Sequence, residues 1–272
     1  MKIGVCVAHR ADREIEAGLR AITQNGFDNC QLVSWDRTLW TDAEAEKVSR
    51  ALQAAGITVT AFWCGWQGPK VWDFYQGQET LGLVPVAYRY ARLQDLCDGS
   101  DFAKKIGVTD VVTHAGFIPE NPYDPAYSGL IAALREVALH LKANGQNFLF
   151  ETGQETPVTL LRAIEDIGTD NVFINLDPAN LILYGKANPV DALEVFGSHI
   201  KGVHAKDGLY PTDGRHLGLE TAIGAGKVDF KALIAGLKKC GYDGALTIER
   251  EIEGEQQTRD ILLGKQYLEQ FC

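Results

Sequence analysis

Short apolar stretches alternate along the chain with longer segments in which apolar residues recur every three or four positions. The short stretches lie at 2–7, 29–35, 57–63, 110–115, 147–151, 171–177, 199–204 and 244–249. The longer patterns lie near 11–24, 41–55, 85–106, 125–144, 156–167, 189–196, 229–239 and 255–270. The first kind of pattern is typical of buried strands and the second of helices. The sequence therefore predicts eight strand–helix units.

A helix after every strand brings neighbouring strands into parallel pairing through right-handed crossovers. Eight such units in 272 residues fit one (β/α)8 TIM barrel, an α/β fold of about this size. The alternative is an open doubly wound sheet, which often carries a glycine-rich turn after its first strand. The first strand here is followed by AHRADRE (8–14), without glycine. Because no linker or repeat divides the chain, we predict a single barrel domain over 1–272.

Two of the predicted connections are unusually long, at 64–84 and 205–228. Long loops in a compact fold are usually functional. The first contains Trp66 and Trp72, whose flat faces suit either the apolar face of a sugar ring or the core of a structural lid. The second contains GAGKVDF (224–230), whose glycine amides before a helix form a weak candidate for phosphate binding.

Four polar side chains end the last four predicted strands: Glu151, Asp177, His204 and Glu249. Any one of the acidic residues alone would be read as a helix N-cap, but capping does not predict four consecutive strand ends of this kind. The carboxyl ends of barrel strands share one mouth, where grouped carboxylates repel one another. Three carboxylates and one imidazole suit a divalent cation such as Mn²⁺, Mg²⁺, Co²⁺ or Fe²⁺, and Zn²⁺ also fits. We therefore predict a divalent metal site, with Mn²⁺ as the first expectation.

Motifs around these residues resemble the xylose-isomerase-like superfamily, the sugar phosphate isomerase/epimerase group of TIM barrels. The motifs are ETGQETP (151–157), NLDPANL (175–181), VHAKDG (203–208) and IERE (248–251). The resemblance covers the whole chain and is strongest from 147 to 251. Similarity to ketose 3-epimerases implies that the four strand-end residues bind one divalent metal. It also implies that Glu151 and Glu249 exchange protons with opposite faces of the substrate, and that the protein forms a homo-oligomer.

The sequence departs from the ketose 3-epimerases in two places. Asn180 stands where those enzymes carry a substrate-binding histidine, and the arginine expected shortly after the metal-binding histidine is missing, with Lys206 and Arg215 as the nearby cations. The candidates for substrate binding are polar residues at or near the predicted strand ends and in the second long loop: His9, His114, Asn180, Lys206 and Glu220. For Lys206 we expect enolate neutralisation or acid/base work, and for Glu220 either substrate contact or the orientation of a loop.

Charge and cysteine usage limit the partners. The chain carries 26 basic and 36 acidic side chains, a formal net charge of −10, and no Lys/Arg cluster marks a basic surface for nucleic acid. No apolar stretch reaches the 18 residues of a membrane span, and the N-terminus lacks the features of a signal peptide. The six cysteines form no CxxC pair, and without a secretion signal we expect reduced thiols in the cytoplasm. The acidic charge favours a small molecule as the partner, and the family resemblance implies a carbohydrate substrate.

The residues predict metal-assisted proton transfer next to a carbonyl, through an enediolate. Return of the proton gives an epimerase or isomerase acting on a keto-sugar or keto-polyol. Loss of a β-hydroxyl from the same enediolate gives a lyase or dehydratase acting on a keto-sugar or inosose, and the four strand-end residues alone leave these outcomes open. A metal-dependent endonuclease and a non-catalytic sugar-binding barrel are less favoured, the first because of the acidic charge and only six histidines.

Overall fold

The computed structural model describes residues 1–272 and contains ten strands. They are β1 (Lys2–His9), β2 (Asn29–Ser34), β3 (Thr58–Cys64), β4 (Asp110–Thr113), β5 (Asn147–Glu151), β6 (Val172–Leu176), β7 (Ile200–Ala205), β8 (Asp207–Gly208), β9 (Glu220–Thr221) and β10 (Ala245–Ile248). Eight of them close into a barrel in the order β1-β10-β7-β6-β5-β4-β3-β2, and every neighbouring pair is parallel. The short strands β8 and β9 pair with each other outside the barrel. The predicted (β/α)8 fold is therefore confirmed.

Ten α-helices accompany the strands. They are α1 (Ile15–Gln24), α2 (Asp42–Ala55), α3 (Gly77–Thr80), α4 (Val86–Lys105), α5 (Pro125–Ala143), α6 (Pro157–Ile167), α7 (Pro178–Leu183), α8 (Leu193–Phe196), α9 (Phe230–Lys239) and α10 (Glu255–Leu268). Eight follow the predicted pattern, although α8 is only the second half of the predicted stretch 189–196. The additional helices, α3 and α7, are single short turns within connections. None of the helices has the length and apolar character needed to cross a bilayer.

The main core lies between the barrel wall and the helices, where 56 buried residues form one cluster. On β5, Phe148 and Phe150 belong to this outer core, whereas Leu149 points to the barrel interior and packs in a separate small cluster. Side chains alternate across a strand, so Glu151 follows Leu149 into the interior. The alternation therefore decides which strand-end residues reach the mouth.

The long connection after β3 is held against α4 by one buried arginine. Arg92 is fully buried, and its guanidinium donates to the carbonyl oxygens of Gln67 at 3.2 Å, Pro69 at 2.7 Å and Gly82 at 2.7 Å. Within this connection Trp66 is buried, whereas Trp72 is 40% exposed above the barrel. The connection is therefore an ordered segment built over the mouth.

The long connection after β7 is organised by one buried carboxylate. Asp207 accepts hydrogen bonds from the backbone N–H groups of Gly224 and Gly226, both at 2.9 Å, and of Val228 at 3.1 Å. A Cβ at Gly226 would lie 2.1 Å from Asp207 Oδ1, so this close approach requires glycine. The amides that the sequence offered as a phosphate-binding candidate are thus already hydrogen-bonded to a side chain of the protein.

Candidate metal centre and active site

The four predicted strand-end residues converge at the mouth of the barrel. One potential ligand atom from each of Glu151, Asp177, His204 and Glu249 lies within 4.8 Å of the others. Nδ1 of His204 is 3.2 Å from Glu151 Oε1, 3.4 Å from Glu249 Oε2 and 3.9 Å from Asp177 Oδ2. The barrel closure brings together residues that are almost 100 positions apart in the sequence.

The charged groups in this cluster strongly shift one another's pKa values. Burial would lower the pKa of His204, but the carboxylates of Glu151 and Glu249 outweigh it and hold that pKa well above its usual value. Burial would raise the pKa of Glu151, yet the charges of His204 and His114 lower it. Burial would also raise the pKa of Glu249, but the charges of Lys206 and His204 hold that pKa well below its usual range. The site therefore favours ionised carboxylates and a nearby cation.

The donor set fits a divalent metal. Asp177 is fully buried, and its Oδ2 has no hydrogen-bond partner, while its Oδ1 accepts from the backbone N–H of Asn180 at 2.9 Å. An unpartnered buried carboxylate oxygen is costly, and coordination at the shared point would satisfy it. Three carboxylates with one imidazole are the ligands expected for a hard or intermediate divalent cation. The cluster therefore suggests a divalent metal.

Three of the predicted substrate-binding residues border the cluster. Asn180 donates its side-chain N–H to Glu151 Oε1 at 3.2 Å. Lys206 is buried and donates to Glu249 Oε2 at 3.0 Å and to Asn180 Oδ1 at 3.4 Å. Nε2 of His114 is 3.7 Å from Glu151 Oε1, and its buried Nδ1 has no partner. His114 and Asn180 line the cavity above the cluster, whereas Lys206 is buried behind Glu249 and Asn180 and does not line it.

The structure does not bring His9 or Glu220 to this place. His9 faces the helices: its Nδ1 is 3.1 Å from Ser34 Oγ and its Nε2 is 3.3 Å from Glu44 Oε1. Burial lowers the pKa of His9, as expected for a histidine in a structural contact. Glu220 pairs with Arg250 at 3.0 Å and accepts from the backbone N–H of Glu251 at 3.0 Å. Glu220 thus has the loop-orienting position rather than one in the cavity.

A cavity of about 980 Å³ opens above the cluster and extends outward between α1 and α10. Around the cluster its lining includes Glu151, Glu249, His114, Asn180, Tyr184, Lys70 and three tryptophans, Trp35, Trp63 and Trp72. The rings of Trp35 and Trp63 lie 4.8 Å apart, and the indole N–H of Trp63 donates to Glu151 Oε2. One wall near the cluster is therefore aromatic, which suits the C–H face of a sugar.

Sequence reasoning missed several residues of this site. Trp35 and Trp63 end the second and third predicted stretches, and the rule applied to the polar strand ends would have found them. Glu251 lies 3.0 Å from Lys206 Nζ and belongs to the same IERE motif as Glu249. Glu155, in ETGQETP, lies outside the cluster and the cavity lining. It is 2% exposed with both carboxylate oxygens unpartnered, and burial raises its pKa to about 8. No sequence signal marks the burial of Glu155.

The chain belongs to the xylose isomerase-like TIM barrel family, whose model matches residues 16–269. A curated relative is the uncharacterized protein MJ1311 of Methanocaldococcus jannaschii, which is 31% identical over 171 residues. That match covers 58% of this chain, and the chain spans 56% of the length of this relative.

Solved structures share the whole fold. A xylose isomerase domain protein from Planctomyces limnophilus is 33% identical, with a TM-score of 0.92 over 99% of this chain and 96% of that one. A D-tagatose 3-epimerase-like protein is 22% identical, with a TM-score of 0.75 over 100% and 97% of the two chains. The probable 3-DHS dehydratase AsbF of Bacillus anthracis is 16% identical, with a TM-score of 0.72 over 99% of both. The last two likenesses concern the fold.

Proposed function

We propose that the protein is a metal-dependent sugar isomerase or epimerase that moves a proton next to the carbonyl of a small keto-sugar or keto-polyol. The observation that carries this proposal is the buried cluster with two glutamates, Glu151 on β5 and Glu249 after β10, at the base of a cavity. The strands β6 and β7 separate them in the barrel, so their carboxylates approach a bound substrate from different directions. The D-tagatose 3-epimerase-like protein, which shares this fold, agrees with this class of reaction.

The proposal assigns Glu151, Asp177, His204 and Glu249 as ligands of one divalent cation. Mn²⁺ is the first expectation, and Mg²⁺, Co²⁺, Fe²⁺ or Zn²⁺ would fit the same donors. When bound, such a cation polarises the carbonyl of the substrate and stabilises negative charge on its oxygens. Four carboxylates, including Glu251, face the ammonium of Lys206 and the imidazoles of His204 and His114 here, so a dication also balances the local charge.

The residues of the chain carry the proton steps. One of Glu151 and Glu249 removes the proton next to the carbonyl, and the other returns a proton to the opposite face, which inverts that carbon. Return to the neighbouring carbon gives isomerisation instead. Asn180 offers a donor and an acceptor to substrate hydroxyls, while Lys206 and His114 neutralise or hydrogen-bond the developing oxyanion.

A lyase or dehydratase acting on a keto-sugar or inosose is the second candidate. Its support is Lys206, whose ammonium lies 3.0 Å from Glu249 Oε2 and would supply the proton that a departing β-hydroxyl needs. The dehydratase with the same fold agrees with this chemistry. An endonuclease is disfavoured by the net charge of −10. A non-catalytic sugar-binding barrel is less favoured because two glutamates of the cluster, Glu151 and Glu249, also line the cavity. A single domain over 1–272, a cytoplasmic location and a homo-oligomer stay predictions.

The test is to incubate the enzyme and Mn²⁺ in D₂O with ketoses, keto-sugar derivatives and inososes, and to analyse the recovered compounds by mass spectrometry and by NMR after metal removal. Uptake of one deuterium with otherwise unchanged mass supports the epimerase or isomerase. Loss of water supports the lyase. The proposal is wrong if no carbonyl compound exchanges and a phosphodiester is cleaved instead.

A further inference from the structure

A chain of buried amides lies inside the barrel directly beneath His204. Oε1 of Gln31, on β2, is 2.8 Å from His204 Nε2, and Nε2 of Gln31 donates to Asn175 Oδ1, on β6, at 3.0 Å. The three side chains are at most 2% exposed. Buried polar side chains cost stability unless they are hydrogen-bonded, so three of them in a row across the barrel require an explanation beyond packing.

The contact with Gln31 determines which nitrogen of His204 carries the proton. An amide oxygen only accepts hydrogen bonds, so His204 Nε2 must be the protonated nitrogen in this contact. The other nitrogen, Nδ1, is the one that faces Glu151 and Glu249 at 3.2 and 3.4 Å. A metal ligand needs a free lone pair, and the hydrogen bond made by the second ring nitrogen fixes the tautomer and the ring orientation.

Gln31 itself is held in place from the opposite side of the barrel. The side-chain N–H of Gln31 donates to Oδ1 of Asn175, so the amide oxygen of Gln31 is directed to His204. Asn175 lies tightly against β7, where a Cβ at Gly202 would come within 2.3 Å of Asn175 Oδ1. The absence of a side chain at Gly202 thus leaves the space that Asn175 occupies. The only other neighbour of His204 Nε2 in hydrogen-bond range is Cys6 Sγ, at 3.9 Å.

We propose that Gln31 is a positioning residue of the metal centre, which keeps His204 protonated on Nε2 so that Nδ1 is free to coordinate, and that Asn175 orients Gln31 for this purpose. The inference rests on the proposed metal site. It assigns a role to two residues that offer no ligand atom to the metal cluster and do not line the cavity. It also explains why an apolar barrel interior contains amides at this level.

The first test compares Mn²⁺ affinity, measured by competition with a fluorescent chelator, among the wild type, Gln31→Leu and Gln31→Glu. Loss of the acceptor in Gln31→Leu is expected to weaken binding roughly 10–100-fold, the usual effect of losing such a contact. The carboxylate of Gln31→Glu still accepts from Nε2 and should keep the affinity within about threefold of the wild type or raise it. Gln146→Leu is the matched control, because Gln146 is also a buried amide but contacts Ser100 and Val108; it should leave affinity unchanged.

The second test needs no substitution of Gln31, so it decides the question even if the leucine variant does not fold. In the ¹⁵N-histidine spectrum of the Mg²⁺-loaded wild type, the signals lost in His204→Gln should show a protonated Nε2 and an unprotonated Nδ1. A protonated Nδ1, or equal Mn²⁺ affinity in Gln31→Leu and the wild type, overturns the role of Gln31 alone. Failure of the wild type to bind Mn²⁺ or Mg²⁺ overturns the metal site and, with it, this inference.

Discussion

Asp177 shows how one side chain serves both the fold and the site. Its Oδ1 caps α7 through the backbone N–H of Asn180, at 2.9 Å, and its Oδ2 remains without a hydrogen bond among the other carboxylates. The two oxygens therefore have separable roles. A substitution that keeps an acceptor for the cap but removes the charge distinguishes them.

We expect Asp177→Asn to keep the helix cap and Asp177→Ala to lose it, while both weaken Mn²⁺ binding by at least roughly tenfold. With chelator present, the alanine variant should be about 1 kcal/mol less stable than the asparagine variant, because only alanine removes the cap. Urea unfolding and metal titration measure the two effects. Unchanged Mn²⁺ affinity in both variants would contradict the assignment of Asp177 as a ligand.

His114, Asn180 and Lys206 are expected to act on the substrate and not on the metal. His114→Ala, Asn180→Ala and Lys206→Met should retain Mn²⁺ within roughly threefold while turnover falls about 100-fold or more, as is usual for lost acid/base or oxyanion contacts. Metal content after dialysis and initial rates give the comparison. If His114→Ala loses Mn²⁺ as completely as Glu151→Ala does, His114 is a ligand and the division of roles is wrong.

Glu155 should make the stability of the protein depend on pH. Its pKa is about 8 in the folded protein, against an ordinary value of 4.5, because of burial. Between these values the folded protein holds a proton that the unfolded chain releases, so this group lowers stability progressively as the pH rises from about 4.5 to 8. We compare the free energy of unfolding of Glu155→Gln with that of the wild type at each pH. The difference should shift in favour of the variant by roughly 2–4 kcal/mol from pH 5 to pH 8.

The control for Glu155 is Glu165→Gln, since Glu165 is exposed on α6. Thermal unfolding at both pH values, with the metal removed, measures the difference between each variant and the wild type. An equal difference at pH 5 and pH 8 for Glu155→Gln would mean that the carboxyl group is solvated in the native protein.

The sequence predicted part of the site because strand ends and alternation follow simple geometry. His204 lies between Val203 and Ala205, which belong to the outer core, so its inward direction is readable. His9 was expected at the mouth, but it shares the outward side of β1 with Val5 and Val7, and the same alternation would have excluded it. The contact between Gln31 and His204 could not be predicted, because it depends on which strands face each other across the closed barrel.

At the scale of elements, the connection between β3 and α4 carries Trp72 over the cavity and depends on Arg92. The sequence indicated that this connection is long, yet its shape depends on three backbone carbonyls that converge on one guanidinium. Such contacts involve the main chain, so side-chain patterns do not reveal them. The strands, by contrast, were predictable because their apolar runs are short and regularly spaced.

Arg92→Lys should loosen this connection. A lysine ammonium cannot reach all three carbonyls as the planar guanidinium does, and the unpaired carbonyls should cost about 2–4 kcal/mol. We expect faster chymotrypsin cleavage within 66–75, where Trp72 and Tyr75 are already 40% and 61% exposed. The exposed Arg50→Lys on α2 is the control. Cleavage of Arg92→Lys at the wild-type rate would show that other contacts hold the connection.

At the scale of the whole molecule, barrel closure creates the site. The proposed ligands come from four consecutive barrel strands. The aromatic wall comes from Trp63 on β3 and Trp35 just after β2. A substrate between them would have carboxylates on one side and tryptophan rings on the other. This asymmetry fits a molecule with a polar carbonyl end and an apolar C–H face, as a sugar has.

The most direct measurement of the central claim follows deuterium at the carbon next to the carbonyl, with the best substrate of the panel and saturating Mn²⁺. The wild type should form product that carries solvent deuterium at that carbon. In Glu151→Gln and in Glu249→Gln the rate of product formation should fall about 100-fold or more. The variant that keeps the abstracting base should still exchange deuterium into recovered substrate. Product formed at the wild-type rate by either variant with Mn²⁺ bound would contradict the two-glutamate account.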